Sequence, residues 1–405
     1  MHRKYKVIDL FAGCGGLSEG FMKSGRFDEI AAVEWLEPQV DTLRNRMKTK
    51  WRKKDAESRV MRFDIQRHEE LFAGWDDPVY GKSVGLDHYV SEAGGIDAII
   101  GGPPCQAYSI AGRVRDEHGM RNDYRNYLFE HYLKVVHRYQ PRLFVFENVP
   151  GILSAAPDGA PIVEKIRAGF DSIGYEIVDD LARFAEVNAA DFNVPQNRHR
   201  MIIIGLNREV YSKPQELLHQ FYTKILPYEQ SGRTVSVREA IGDLPPCLPI
   251  FDKASHAKRI SHTTPKCDIT WHTPRYANLR DMDTFRILEE DLASGRNEYD
   301  SKKITELYEE KIGSKSPIHR YHVLNPDLPS TTIIAHLYKD GHRYIHYDPA
   351  QQRTITVREA ARLQSFPDDF IFTCSRGDAY QMIGNAVPVN LAYAVARAVS
   401  QLLQM

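Results

Sequence analysis

Apolar residues fall into short runs along the first half of the chain, separated by polar and amphipathic stretches. Val7–Phe11, Ile30–Val33, Ile96–Ile100, Leu143–Phe146, Tyr175–Leu181 and Arg200–Leu206 are each strand-sized. Apolar runs of this kind belong to strands covered on both faces. Their alternation with helical patterns predicts an α/β fold, a doubly wound, mostly parallel, Rossmann-like sheet. The pattern breaks at Asp243-Leu244-Pro245-Pro246-Cys247-Leu248-Pro249, a proline-rich linker. Beyond it the chain is irregular and rich in His, Tyr and Arg. Helices are expected over Asp283–Leu292, over Arg353–Leu363 with a cap, and over Asn390–Leu403, with a charged segment through Lys311. The layout predicts one α/β domain, 1–245 and 351–405, interrupted by a smaller domain at 246–350.

Length and composition change this picture little. At 405 residues, 42% hydrophobic and 26% charged, the chain can bury a large core in two domains. No apolar run is long enough for a membrane span. Met1-His2-Arg3-Lys4-Tyr5 leads almost directly into the first strand, so no signal peptide is expected. Cysteines 14, 105, 247, 267 and 374 include no Cys-x-x-Cys pair. Neither a disulfide framework nor a metal site is indicated, and a reducing cytoplasm fits.

The net charge of −1 argues against a generally basic, nucleic-acid-binding coat. Arg44–Lys54 carries seven Lys/Arg and no acid, and reads as a solvated face. The arginine-rich stretch from Gly112 to Arg125 differs because it directly follows Cys105, where a polyanion would have to close over the chain.

Candidate chemistry gathers at predicted strand ends, the edge where ligands bind in open α/β sheets. Gly101-Gly102-Pro103-Pro104-Cys105-Gln106 ends one strand and presents a single thiol. Taken alone it reads as a buried structural cysteine in a tight turn before it reads as a thiolate nucleophile, and the other motifs of the chain reverse that order. Asp9-Leu10-Phe11-Ala12-Gly13-Cys14-Gly15-Gly16-Leu17 is a strand entering a glycine turn and then a helix. Glu34-Trp35 ends the second strand, where the acid suits a ribose diol and the indole an adenine. Asp64 could accept from the adenine amino group. No Lys or Arg lies in the glycine turn, so S-adenosylmethionine is favoured over a dinucleotide. Glu147, at the end of the strand neighbouring the thiol's, is a candidate acid whose pKa burial would raise. Arg198 and Arg200, on one face of the strand they lead into, could clamp a carbonyl or a phosphate.

Taken together, the motifs resemble the C5-cytosine DNA methyltransferase family. They run in the family's order: the glycine turn at 9–17, Glu34-Trp35, Pro-Pro-Cys-Gln at 103–106, Glu-Asn-Val at 147–149, Gln-x-Arg-x-Arg at 196–200, Arg-x-x-Thr-x-Arg-Glu-x-Ala-Arg-x-Gln at 353–364, and Gly-Asn-x-Val at 384–387. The resemblance covers residues 5–207 and 353–400. One departure is Phe63, where many members carry a glycine before the acid at position 64.

The resemblance implies a bacterial or phage modification enzyme with Cys105, Glu147, Arg198 and Arg200 as its catalytic set. It implies that Phe11, Gly13, Gly15, Gly16, Leu17, Glu34, Trp35, Asp64, Ile65, Pro104, Leu128 and Asn385 hold S-adenosylmethionine. Domain 1–245 with 351–405 then carries catalysis, and 246–350 target recognition. Double-stranded DNA would be contacted by Gln106, Ser109, Arg113 and Arg115 in the loop after the thiol. In the insert the expected contacts are Arg320, Thr332 and Arg343, with Thr332-Ile333 resembling the family's threonine–aliphatic pair. A monomer, a cytoplasmic location and a cognate restriction endonuclease sharing the site are further implications. Three rivals are a tRNA cytosine-5 methyltransferase, a catalytically dead homologue and a nicotinamide dehydrogenase. The unassigned insert with no Cys-Phe-Thr tripeptide, the presence of Cys105 and Glu147, and the missing Gly-x-Gly-x-x-Gly turn speak against them in that order.

Overall fold

The computed structural model describes residues 3–104, 127–156, 159–313, 321–339 and 341–405. The chain divides into two compact units. The first comprises 1–193, 198–232 and 386–405, and the second 194–197 and 233–385. These bounds differ from the expected 245/246 and 350/351 junctions. The proline-rich run at 243–249 lies inside the second unit with Cys247 fully buried, so it is packed chain rather than a linker.

The first unit is built on one sheet of β1 (Tyr5–Leu10), β2 (Phe27–Glu34), β3 (Val60–Arg62), β6 (Ala98–Gly101), β7 (Leu143–Asn148), β8 (Tyr175–Ile177), β9 (Glu186–Asn188) and β10 (His199–Asn207). A separate two-stranded hairpin joins β4 (Trp75–Asp77) to β5 (Gly81–Ser83). The sheet order is β3-β2-β1-β6-β7-β10-β8, with β9 also pairing β10. Val7, Ile8, Ile99, Ile100, Phe144, Val145 and Ile203 are all fully buried, which is why these runs read as continuously apolar. From β3 to β7 every pairing is parallel. The sheet is mostly parallel, as expected, and its one reversed strand is β10, which runs antiparallel to β7, β8 and β9. The predicted strand to Leu181 stops at Ile177, because Asp180 caps a short helix by accepting from the Arg183 amide.

The last helix, Val389–Leu402, packs on the first, Gly16–Lys23. A Cβ on Gly16 would stand 2.4 Å from the Val387 carbonyl oxygen, and one on Gly20 2.4 Å from the Ala392 Cβ, so both positions need glycine for this approach. Much of the basic run at 44–54 is paired within the unit: Arg46 with buried Glu19, Lys53 with Asp28, and Arg44 and Lys48 with Glu57. Among the described residues no helix is long and apolar enough to cross a membrane.

The second unit has its own core, in which Met282 and Phe285 of the helix Leu279–Ser294 meet Leu307, Tyr321 and Ile345. The predicted capped helix begins at Val357, with Thr356 and Glu359 forming a capping box. Residues 353–356 precede it, and Arg353 forks onto Glu359 at 2.7 and 2.6 Å with both side chains fully buried. Arg358 spends its guanidinium on the carbonyls of Thr270, Pro367 and Phe370. The Arg-x-x-Thr-x-Arg-Glu pattern is therefore a fastening of the second unit.

Candidate active site

Because β1, β2, β3, β6 and β7 are parallel, their carboxyl ends share one edge. β10 is reversed, so its first residues reach that same edge, with Ile202 opposite Glu147 and Met201 opposite Asn148. This one reversal brings Arg200 to the acid.

Arg200 donates from Nε to a Glu147 carboxylate oxygen at 2.9 Å, each side chain 12% exposed. Burial pushes the Glu147 carboxyl above the ordinary range, while the charges of Arg200 and then Arg198 pull against that. Arg198 is buried and donates to the Ala386 carbonyl oxygen at 3.0 Å. A Cβ on Gly102 would stand 2.6 Å from the second Glu147 oxygen, so the residue after β6 must be glycine for the acid to sit there. β6 and β7 end side by side, Gly101 opposite Phe146, and Pro104 lies exposed beyond Gly102. Cys105, Gln106, Ser109, Arg113, Arg115 and Arg320 lie outside the described residues.

The glycine turn occupies the next strand end. Phe11, Gly13 and Gly15 all have positive φ, at 57°, 57° and 91°, so the backbone bends in a way that excludes most side chains at the latter two. The Gly13 amide donates to Glu34 at 2.9 Å, and the second Glu34 oxygen accepts from Trp35 and Leu36 at 2.7 and 2.8 Å. A Cβ on Gly13 would meet open space, leaving a cradle above the turn. Trp35 is 48% exposed, and its Nε1 donates to the Tyr80 hydroxyl at 2.9 Å. Asp64 and buried Ile65 follow β3, Asp64 accepting from the Gln66 amide at 3.0 Å. Leu17 and Leu128 are buried near the starts of their helices.

Several expected site residues thus gather at this edge: Phe11, Gly13, Gly15, Gly16, Glu34, Trp35, Asp64, Ile65, Pro104, Glu147 and Arg200. Asn385 instead ends the helix Arg376–Asn385 of the second unit. That unit also holds half-buried Thr332 and exposed Arg343.

Two partnerships were not read from the sequence. Beneath the turn, Ser18 donates to Asp9 at 2.7 Å with both fully buried, and burial pushes the Asp9 carboxyl up to about 7. In the second unit, buried Gln196 accepts from the Ile333 amide at 2.8 Å and donates to the Leu363 carbonyl and the Gln364 side chain, both at 3.0 Å. Thr332 Oγ1 donates to the Asn197 carbonyl at 2.7 Å. The glutamine of Gln-x-Arg-x-Arg therefore fastens the threonine–aliphatic pair. The signal available was the pairing of a short polar motif with a distant apolar one, which strand periodicity does not carry.

Residues 5–75 and 84–401 match a family model described as C-5 cytosine-specific DNA methylase. A Type II methyltransferase of Bacillus paralicheniformis is 32% identical, covering 98% of this chain and 99% of its own. The Type II methyltransferase M.DdeI of Desulfomicrobium norvegicum is 30% identical over 97% of this chain and 88% of its own. Among solved structures, a candidate DNA modification methyltransferase encoded within an E. coli prophage aligns with TM-score 0.59 at 26% identity, covering 99% of this chain and 100% of that one. The S. pombe Dnmt2 methyltransferase shares the fold, with TM-score 0.55 at 16% identity and 99% coverage of both chains.

Proposed function

The chain belongs to the C-5 cytosine-specific DNA methylase family, and from that premise we propose that it methylates C5 of a cytosine flipped out of duplex DNA, using S-adenosylmethionine and a covalent bond to Cys105. The observation that carries this reading is the Glu147–Arg200 pair, each side chain 12% exposed, at the edge where β6 ends and the chain leads through Gly102 to Pro104. S-adenosylmethionine fits the neighbouring strand ends: a carboxylate at Glu34, an exposed indole at Trp35, an open cradle over Gly13 and no cation in the turn.

The mechanism follows from the chemistry of the base. C5 of cytosine is a poor nucleophile, and a thiolate bonded to C6 makes it enamine-like. Cys105 is the proposed nucleophile. The electron density pushed into the ring collects at N3, where Glu147, its carboxyl raised by burial, is proposed to donate in its protonated form. Arg200 faces the base oxygen O2 while holding Glu147, and Arg198 anchors the start of β10. Bound S-adenosylmethionine supplies the electrophilic methyl group. Loss of the C5 proton then lets the Cys105–C6 bond break and frees the thiolate. The target base must leave the stack first, at a cost of a few kcal/mol. The arginine-rich loop with Gln106, Ser109, Arg113 and Arg115 is proposed to cover it. The second unit, with Thr332, Arg343 and Arg320, is proposed to read the sequence. We further place the protein as a monomer in the bacterial cytoplasm, paired with an endonuclease that cuts the same site.

Bisulfite sequencing of DNA from cells expressing the chain tests the reading. One short motif with a protected cytosine is expected. Full conversion at every cytosine, with the protein expressed and folded, would reject it.

A further inference from the structure

The match to the family model is interrupted at residues 76–83, and those residues form one structural object. β4 and β5 pair antiparallel, Trp75 opposite Ser83, to make the hairpin that spans the interruption. At its tip Asp77 accepts from the Val79 and Tyr80 amides at 2.8 and 3.0 Å, which fixes the turn. Arg67 bonds the same carboxylate at 2.8 Å from outside the hairpin. The tip therefore presents Tyr80 in a set direction.

The hairpin is anchored on Phe63, the residue that follows β3. Phe63 is fully buried and stacks on Trp75 with centroids 3.8 Å apart and planes 20° from parallel, while meeting Tyr80 edge-on at 5.3 Å. A glycine at position 63 would leave Trp75 without that ring. The hairpin so anchored delivers the Tyr80 hydroxyl, 2.9 Å from Nε1 of Trp35.

We propose that the hairpin Trp75–Ser83 is a wall of the adenosine end of the cofactor site, in which Tyr80 is a positioning residue that sets the Trp35 indole by accepting its N–H. This rests on the reading of Glu34-Trp35 as the adenosine site. An indole 48% exposed has several accessible rotamers. Holding one of them removes part of the ordering cost when an adenine stacks on it. The ligand class is an adenine nucleoside carrying a sulfur-linked amino acid, and the effect is on affinity.

Calorimetry with S-adenosylhomocysteine on the full chain tests this, using Tyr80→Phe, Trp35→Phe and the double variant. Trp35→Phe keeps a stacking face and deletes the N–H, and Tyr80→Phe keeps the ring and deletes the acceptor. Each should weaken binding about threefold to tenfold, the range of one neutral hydrogen bond. The double variant should be no weaker than either single one, because both delete the same bond. Fully additive losses, or no loss in Tyr80→Phe, would overturn the proposal. Trp35→Ala separates the two failures. If it leaves affinity unchanged, the adenosine-site reading itself falls. If it weakens binding while Tyr80→Phe does not, only the role of the hairpin falls.

Discussion

Replacing Arg200 by alanine removes the guanidinium whose Nε lies 2.9 Å from a Glu147 oxygen in a contact only 12% exposed on either side. A charge-assisted hydrogen bond of that kind contributes about 1.5–3 kcal/mol. If both residues act on the flipped base, this converts to a fall of about 10- to 150-fold in kcat/KM. The pH profile is the sharper test. Burial raises the Glu147 carboxyl, and Arg200 is the largest influence opposing it. Without Arg200 the protonated form persists to higher pH. A rate that depends on protonated Glu147 therefore keeps an alkaline limb, lowered in amplitude and moved to higher pH. Arg200→Lys, which restores a cation without the fork, should return the limb toward its original position while recovering only part of the rate. The assay is transfer of labelled methyl groups to a plasmid, measured across the pH range at saturating cofactor. A limb that stays in place or moves to lower pH in Arg200→Ala would refute the assignment of Glu147 as the proton donor.

Two other predictions concern the second unit. Glu289 is fully buried in the helix Leu279–Ser294, and burial pushes its carboxyl up to about 9. Its raised value means that its contribution is whole below the ordinary carboxylate range and is lost as pH rises. Glu289→Leu should then be more stable than wild type at pH 7 by up to about 3 kcal/mol in urea unfolding, with the gap closing toward acid. A variant less stable than wild type at neutral pH would contradict this. His262 and His346 are buried neutral, held down to about 4 and about 3 by burial. Their contribution is present above the ordinary histidine range and is lost as pH falls, at about 1.4 kcal/mol per pH unit each. His262→Gln should therefore lose less stability than wild type between about pH 6.5 and 4, and equal losses would show that His262 takes up its proton in the fold as readily as in the unfolded chain.

The legible parts of this molecule were those that repeat or that lie close in sequence. Buried runs such as Ile96–Ile100 and Leu143–Phe146 announced central strands, because residues covered on both faces have no polar option. The glycine turn and Glu34-Trp35 were readable since each is a short segment whose chemistry sits in consecutive residues. Strand direction was not readable. The pattern of Arg200–Leu206 is the same whether β10 runs parallel or antiparallel, and only the connections decide. The hairpin β4–β5 escaped because its strands are three residues each and one of them reads Trp-Asp-Asp, with no periodicity to detect. The bounds of the two compact units were not readable, because prolines at 245, 246 and 249 signal a turn without saying whether it is buried. The Arg353–Glu359 fork, which fastens 353–364 into the second unit, could be seen only as a motif. Gln196 was a letter in a pattern until its amide was found on Ile333 and Gln364.

The central claim, a covalent bond between Cys105 and the base, is tested most directly by mass spectrometry of a trapped complex. The probe is a duplex bearing the sequence found by bisulfite mapping, with 5-fluorocytosine at the target position. Fluorine cannot leave as a proton does, so the step that releases the thiolate stalls after transfer. The account predicts a complex that survives denaturation, with the adduct on the peptide containing Cys105 and none formed by Cys105→Ser. An adduct mapped to Cys14 or Cys374, or a complex that persists in Cys105→Ser, would contradict it.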